Sequence, residues 1–167
     1  DYPYILYVGN RHKYKNFQVF LKSLSINLKI LENFKVILFG GEKLTKHEIN
    51  LIKSYNLDAK NFLFFEGNND LLNIFYQNAR LLIFPSKYEG FGLPILESLW
   101  HARPCICRNY GAMQEVAQDG GCLMADVRNK DALSNAILKL IEDDQLRCDL
   151  AHQSTKIKFS HFCFRLL

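Results

Sequence analysis

At 167 residues the chain has room for one ordinary domain with its own hydrophobic core and no room for a second. Apolar residues at 49% and charged residues at 23% exclude a disordered chain. The formal charge of +4 comes from basic residues scattered through helical stretches and loops, which leaves room for an anionic ligand but excludes the clustered stripe of a nucleic-acid groove.

Tyr4 to Val8 is an apolar, β-rich run stopped by Gly9-Asn10. From Asn16 to about Leu31 apolar residues recur at helical spacing: Phe17, Phe20, Leu21, Leu24, Leu28 and Leu31. Phe34 to Phe39 is a second strand closed by Gly40-Gly41, followed by a helix from Thr45 to Tyr55 whose Thr45 and Glu48 have capping-box spacing. A third strand, Phe62 to Phe65, ends at Glu66-Gly67-Asn68, and Leu71 to Ala79 carries Leu71, Leu72, Phe75 and Tyr76 on a helical face. Leu81 to Phe84 is the fourth strand, ending at Pro85-Ser86. A helix opens near Gly92-Leu93-Pro94, because proline in a first turn lacks only an N–H that would have had no partner. Ile106 marks a fifth strand after Pro104. Then come a short helix at Met113 to Ala117, a strand-like Gly121 to Met124, and an amphipathic helix from Lys130 to Glu142. The apolar tail Phe159 to Leu167 has no caps and receives no assignment.

Strands alternating with helices, each strand continuously apolar, imply a parallel sheet covered on both faces. Right-handed crossovers then make an α/β, Rossmann-like, doubly wound domain spanning residues 1–167. In such a sheet the ligand lies at the carboxyl ends of the strands, so the loops after Val8, Phe39, Phe65, Phe84 and Cys107 carry the interest.

No segment approaches the roughly 18 uninterrupted apolar residues of a membrane span, and Asp1-Tyr2-Pro3 has no signal-peptide character. The five cysteines contain no C-x-x-C pair, and reduced thiols are their simplest account. Cys105 and Cys107, two apart on a strand, face one side and read as core packing. The five histidines show no H-x-x-x-H spacing, so no metal is expected.

Two segments carry chemistry. In Tyr88-Glu89-Gly90-Phe91-Gly92-Leu93-Pro94-Ile95-Leu96-Glu97, two glycines flank an aromatic just before a helix start. Backbone N–H groups there approach an anion closely, where the helix dipole is positive. Glu89 and Glu97 suit vicinal hydroxyls of a hexose or ribose, since a carboxylate accepts two hydrogen bonds. Taken singly, each reads as a solvated acid beside a helix N-terminus, and Glu97 is expected to face solvent and contribute little to packing. In Gly9-Asn10-Arg11-His12-Lys13-Tyr14-Lys15-Asn16, two cations follow a glycine at a strand end, where they can neutralise a pyrophosphate. An exposed basic loop is the bland alternative. The spacing matches neither a Walker A loop nor G-x-G-x-x-G.

On these segments the chain resembles family 4 of the retaining glycosyltransferases, whose C-terminal domains pair a glycine-then-Arg/Lys loop with two glutamates that have seven residues between them, here Glu89 and Glu97. Tyr7-Val8-Gly9-Asn10-Arg11, Tyr14-Lys15-Asn16-Phe17, Phe84-Pro85-Ser86 and Glu115-Val116 stand in that family's order. The resemblance implies one half of a two-domain GT-B fold, lacking the N-terminal acceptor domain. Arg11 and Lys15 would hold the donor's phosphates and stabilise the charge on the leaving diphosphate. Glu97 would accept the ribose hydroxyls, and Glu89 would orient the transferred sugar. Gly9 and the backbone of Gly90, Phe91, Gly92 and Leu93 would cradle sugar and phosphate, with Gly67 bordering the base.

The implied reaction transfers a hexose from a nucleotide sugar with retention and without a cofactor or metal. The wording is most similar to bacterial mannosyltransferases of surface polysaccharide, so GDP-mannose is the first choice of donor. A glycan or lipid-linked acceptor would bind through the absent domain. The parent would be cytoplasmic, with peripheral association at the inner face of the membrane left open. Trp100 and Arg103 are bulkier than the family pattern and put donor preference in question. Two further readings stay open: a nucleotide-sugar-binding module without activity of its own, and a Rossmann-like domain with no ligand.

Overall fold

The computed structural model describes residues 2–117 and 120–160, without the side chains of 112, 115, 116 and 155–160. Six strands form one wholly parallel sheet: β1 (Tyr4–Val8), β2 (Lys35–Phe39), β3 (Phe62–Phe65), β4 (Leu81–Phe84), β5 (Cys105–Arg108) and β6 (Cys122–Ala125). Their spatial order is β3-β2-β1-β4-β5-β6, the doubly wound arrangement read from the sequence. Register is set by pairs such as Tyr7 with Leu38 and Leu6 with Leu82.

The helices are α1 (Phe17–Ile26), α2 (Lys29–Asn33), α3 (Lys46–Ser54), α4 (Asn69–Asn78), α5 (Leu93–Trp100), α6 (Ala112–Ala117), α7 (Lys130–Glu142) and α8 (Asp144–Ser160). Because strand side chains alternate between faces, the core falls into two layers. Ile5, Tyr7, Leu38 and Ile83 pack against Phe20 and Leu24 of α1, Ile52 of α3 and Ile137 of α7. Leu6, Ile37, Leu82 and Cys105 pack against Tyr76 of α4, Leu99 of α5 and Met113 of α6. Cys107 and Cys122 join this second layer, so these thiols fill core volume.

Two expectations need correction, and one helix was not foreseen. The stretch from Asn16 to Leu31 is two helices: Asn27 leaves the helical region at φ −131°, and Leu28 is 46% exposed instead of continuing the buried stripe. Phe34 ends α2, so β2 begins one residue later, at Lys35. Helix α8 carried no periodic apolar signal, because its buried positions include Arg147 and Ser154 as well as Leu150. The Thr45–Glu48 capping box forms with both hydrogen bonds in place. Of the unassigned tail, residues 161–167 lie outside those described.

Candidate functional site

The chain order reverses between β1 and β4, and the loops leaving these two strands meet at the carboxyl edge of the sheet. The loop after β1 is shaped by its own strand. Tyr7, buried in the sheet, donates its hydroxyl to the Lys15 carbonyl at 3.2 Å. Burial pushes its phenol far above the usual range, so it remains a neutral donor. The loop also lies against the turn after β2: the Gly9 N–H donates to the Phe39 carbonyl at 2.8 Å. Gly41 sits so close that a Cβ there would lie 2.9 Å from Asn10 Cα. Asn16 closes the loop in the left-handed region, with its side-chain amide donating to the buried Val127 carbonyl at 2.6 Å.

The loop after β4 docks onto this one. The Lys87 N–H donates to the Tyr14 carbonyl at 2.7 Å, and buried Arg108, at the end of β5, donates from Nη1 to the Lys87 carbonyl. Gly92 then caps α5 at φ +78°, a conformation in which a β-carbon would also press on Ile95 and Met113 at 3.3 and 3.4 Å. Pro94 occupies the first turn of α5, as its sequence position indicates.

This docking brings Lys15 and Glu89 together. Lys15 Nζ lies 2.6 Å from Glu89 Oε1, and their side chains are only 12% and 17% exposed. Lys15 also stands 5.0 Å from the Phe84 ring centroid, within cation–π reach. In this sheltered setting the attraction between the two charges is screened less than in a surface salt bridge.

Arg11 behaves differently from Lys15. Its side chain, 4% exposed, turns toward α3, where Nε meets Glu48 Oε1 at 2.7 Å and Nη2 donates to the Glu42 and Lys43 carbonyls. Burial opposes ionisation of Glu48, but hydrogen bonds from Arg11 and Thr45 outweigh it and hold that carboxyl below its ordinary value. Arg11 thus braces the loop after β1 against α3, with Nη1 as its buried nitrogen lacking a protein partner.

Glu97, in the middle of α5, is half-buried and accepts a hydrogen bond from the buried Tyr76 hydroxyl at 2.7 Å. This corrects the expectation of a solvent-facing carboxylate. Removing it leaves a buried phenol unsatisfied, at a cost of about 1–3 kcal/mol. The remaining predicted residues spread along the same edge. Gly90 has open space around it, while Phe91 and Leu93 are exposed. Gly67 follows β3, two strands from β1, where a Cβ would press on Leu71.

Tyr76, Glu48 and Arg108, which contact Glu97, Arg11 and the Lys87 carbonyl respectively, are residues that sequence reasoning passed over. Tyr76 was legible only as part of an apolar helical face, and nothing in the spacing marked Arg108. Among the described residues no group of His, Cys, Asp and Glu is arranged to hold a metal ion, and no helix is long and apolar enough to cross a membrane. A separate cavity of about 500 Å³ opens at the opposite, amino end of the sheet, lined among others by Arg80, Arg103, Arg147 and Asp144.

Comparison with known proteins gives this edge its context. The chain is 46% identical over 72 residues to the O-antigen chain mannosyltransferase B of Escherichia coli, covering 43% of this chain and 19% of that protein. It is 29% identical over 163 residues to an uncharacterised glycosyltransferase of Methanocaldococcus jannaschii, covering 96% of this chain and 45% of that one. The C-terminal domain of LpcC, a glycosyl transferase group 1 family protein of Francisella tularensis, has the same fold at TM-score 0.75. There the identity is 22% and the coverage 93% of this chain and 85% of that one. Sucrose-phosphate synthase of Thermosynechococcus elongatus superposes at TM-score 0.80, with 24% identity over 93% of this chain and 40% of that one. The chain spans less than half the length of these curated relatives. The model of the family described as glycosyl transferases group 1 matches residues 1–157, and the chain belongs to that family.

Proposed function

We propose that the chain is the donor-binding half of a retaining hexosyltransferase, with a nucleotide sugar seated where the loops after β1 and β4 meet. The observation that carries this reading is the sheltered Lys15–Glu89 pair at the switch point of the sheet. A cation and a carboxylate 2.6 Å apart present one group to a diphosphate and one to sugar hydroxyls at the junction between them. Asn10 Oδ1 and Ser86 Oγ, buried on the same two loops without a protein partner, are further polar atoms of a site that suits a polar guest.

In this reading the bond between the anomeric carbon and the diphosphate oxygen breaks. The acceptor oxygen bonds to that carbon on the same face, and the acceptor proton leaves with the diphosphate. Lys15, the braced Arg11 through Nη1, and the amino end of α5 oppose the charge that grows on the leaving group. They supply this charge without a metal. Glu89 orients the sugar, Glu97 takes the ribose hydroxyls, and the loop at Gly67 borders the base. Mannose from GDP-mannose is the preferred donor, supported by the 72-residue similarity to the E. coli mannosyltransferase. The acceptor, a glycan or a lipid-linked glycan, binds to a second domain, and closure of the two halves aligns its hydroxyl. Alone, this half binds the donor and turns over poorly.

A thermal-shift panel of GDP, UDP, ADP and their sugar conjugates tests the reading. A ligand at 100 times its dissociation constant stabilises the fold by about 2.7 kcal/mol, which at about 2–4 °C per kcal/mol raises the midpoint by about 5–11 °C. GDP-mannose is expected to give the largest shift. A flat panel contradicts the assignment, and a larger shift with UDP or ADP conjugates moves the donor.

A further inference from the structure

Tyr76 on α4 is fully buried in the second core layer, yet it carries a hydroxyl, and a buried hydroxyl is kept only where it has a partner. Its partner is Glu97 Oε2 on the neighbouring helix, 2.7 Å away. The ring that carries this hydroxyl is itself fixed. It stacks on His101 with centroids 5.8 Å apart and planes 12° from parallel, and His101 Nε2 sits 3.2 Å from Asn73 Oδ1 on α4. Burial, together with the adjacent Glu97 carboxylate, pushes the phenol far up, so it serves as a donor at every physiological pH. A rigid donor thus reaches out of the core to hold one oxygen of a half-buried carboxylate.

We propose that Tyr76 is a positioning residue for nucleotide recognition: its hydroxyl holds Glu97 by Oε2 and directs Oε1 to the ribose hydroxyls of a nucleoside diphosphate. The proposal rests on the reading of Glu97 as the ribose acceptor. A glutamate free to rotate has to be immobilised when the ligand arrives, which weakens binding. Here the immobilisation is complete in the folded chain. The consequence is selective. Loss of the Tyr76 hydroxyl weakens nucleotides that have a 2′,3′-diol and spares those that lack one.

The test is calorimetric titration of the 167-residue chain with GDP and with 2′,3′-dideoxy-GDP, for the wild type, Y76F and E97Q. The wild type is expected to prefer GDP by about tenfold or more, since a hydrogen bond to a charged group is lost in the dideoxy form. Y76F is expected to bind GDP about three- to tenfold more weakly and dideoxy-GDP within twofold of wild type. Equal loss on both ligands overturns the proposal by assigning Tyr76 a merely structural role. No loss on either, while E97Q abolishes the preference for GDP, also overturns it and leaves the ribose role of Glu97 standing. A preference unchanged in E97Q, or no binding of GDP, UDP or ADP by the wild type, removes the underlying reading and this proposal with it; where UDP or ADP binds in place of GDP, the same series is read on that nucleotide and its dideoxy form.

Phenylalanine keeps the ring and its stack, and half-buried Glu97 can turn Oε2 toward water, so Y76F should fold.

Discussion

Arg11→Ala is expected to lower the thermal midpoint of the chain by about 5–15 °C, a larger effect on stability than any other change at the candidate site. The side chain is buried and serves three acceptors: Glu48 and the carbonyls of Glu42 and Lys43. Truncation strands the Glu48 carboxylate, which also closes the capping box of α3. Breaking a buried, hydrogen-bonded charge pair from one side costs about 2–4 kcal/mol once the partial exposure of Glu48 is allowed for. At about 2–4 °C per kcal/mol for a chain of this size, the shift follows. Circular dichroism melts of R11A, Glu48→Ala and the double variant measure it. The double variant is expected to lose clearly less than the sum of the singles, because the two changes remove one shared interaction. A fall below about 2 °C in R11A would show that the brace carries no weight.

Lys15→Ala is expected to act more on binding than on stability. Its ammonium lies at the junction of the two loops and interacts with the Glu89 carboxylate. A charge-assisted hydrogen bond contributes about 1.5–3 kcal/mol, so affinity for a nucleoside diphosphate should fall about 10- to 100-fold. Affinity for the monophosphate should fall about threefold or less, since only the distal phosphate loses its cation. Calorimetric titration with GDP and GMP separates the two. Equal losses would mean that Lys15 touches a single phosphate common to both. Glu89, left unpaired with little exposure, gives K15A a modest loss of stability as well.

The contrast between these two cations shows where sequence reading reaches its limit. Arg11 and Lys15 stand four residues apart after the same glycine and read as equivalent phosphate ligands. The chain separates them because α3 presents Glu48, 37 residues away, to one of them, and β4 presents its following loop to the other. No local spacing encodes which carboxylate reaches which cation. The sheet itself was legible, because each strand is a short, mostly apolar run with Gly, Pro or Asn at one end or both, and parallel strands covered on both faces tend to read that way. The capping box at Thr45 and the proline in α5 were legible for the same local reason.

What escaped the sequence was tertiary. Leu28 fits the periodicity of α1, but Asn27 ends that helix so that the chain can return to β2, and the apparent stripe breaks there. Helix α8 buries Arg147, whose Nη1 donates to the Leu140 and Ile141 carbonyls at the end of α7. A buried arginine that caps another helix leaves no apolar period to detect. Glu97 read as a surface acid, because the hydroxyl that holds it sits 21 residues earlier on a different helix. Tyr76 fits an apolar face equally well by its ring and gives its polar end away only in three dimensions.

A crystal structure of the chain with a bound nucleoside diphosphate tests the central claim most directly. The diphosphate is expected within 4 Å of Lys15 Nζ, with the ribose hydroxyls on Glu97 and the nucleotide lying across the carboxyl ends of β1 and β4. A nucleotide seated in the arginine-lined cavity at the amino end of the sheet, with the Lys15–Glu89 pair undisturbed, would contradict it.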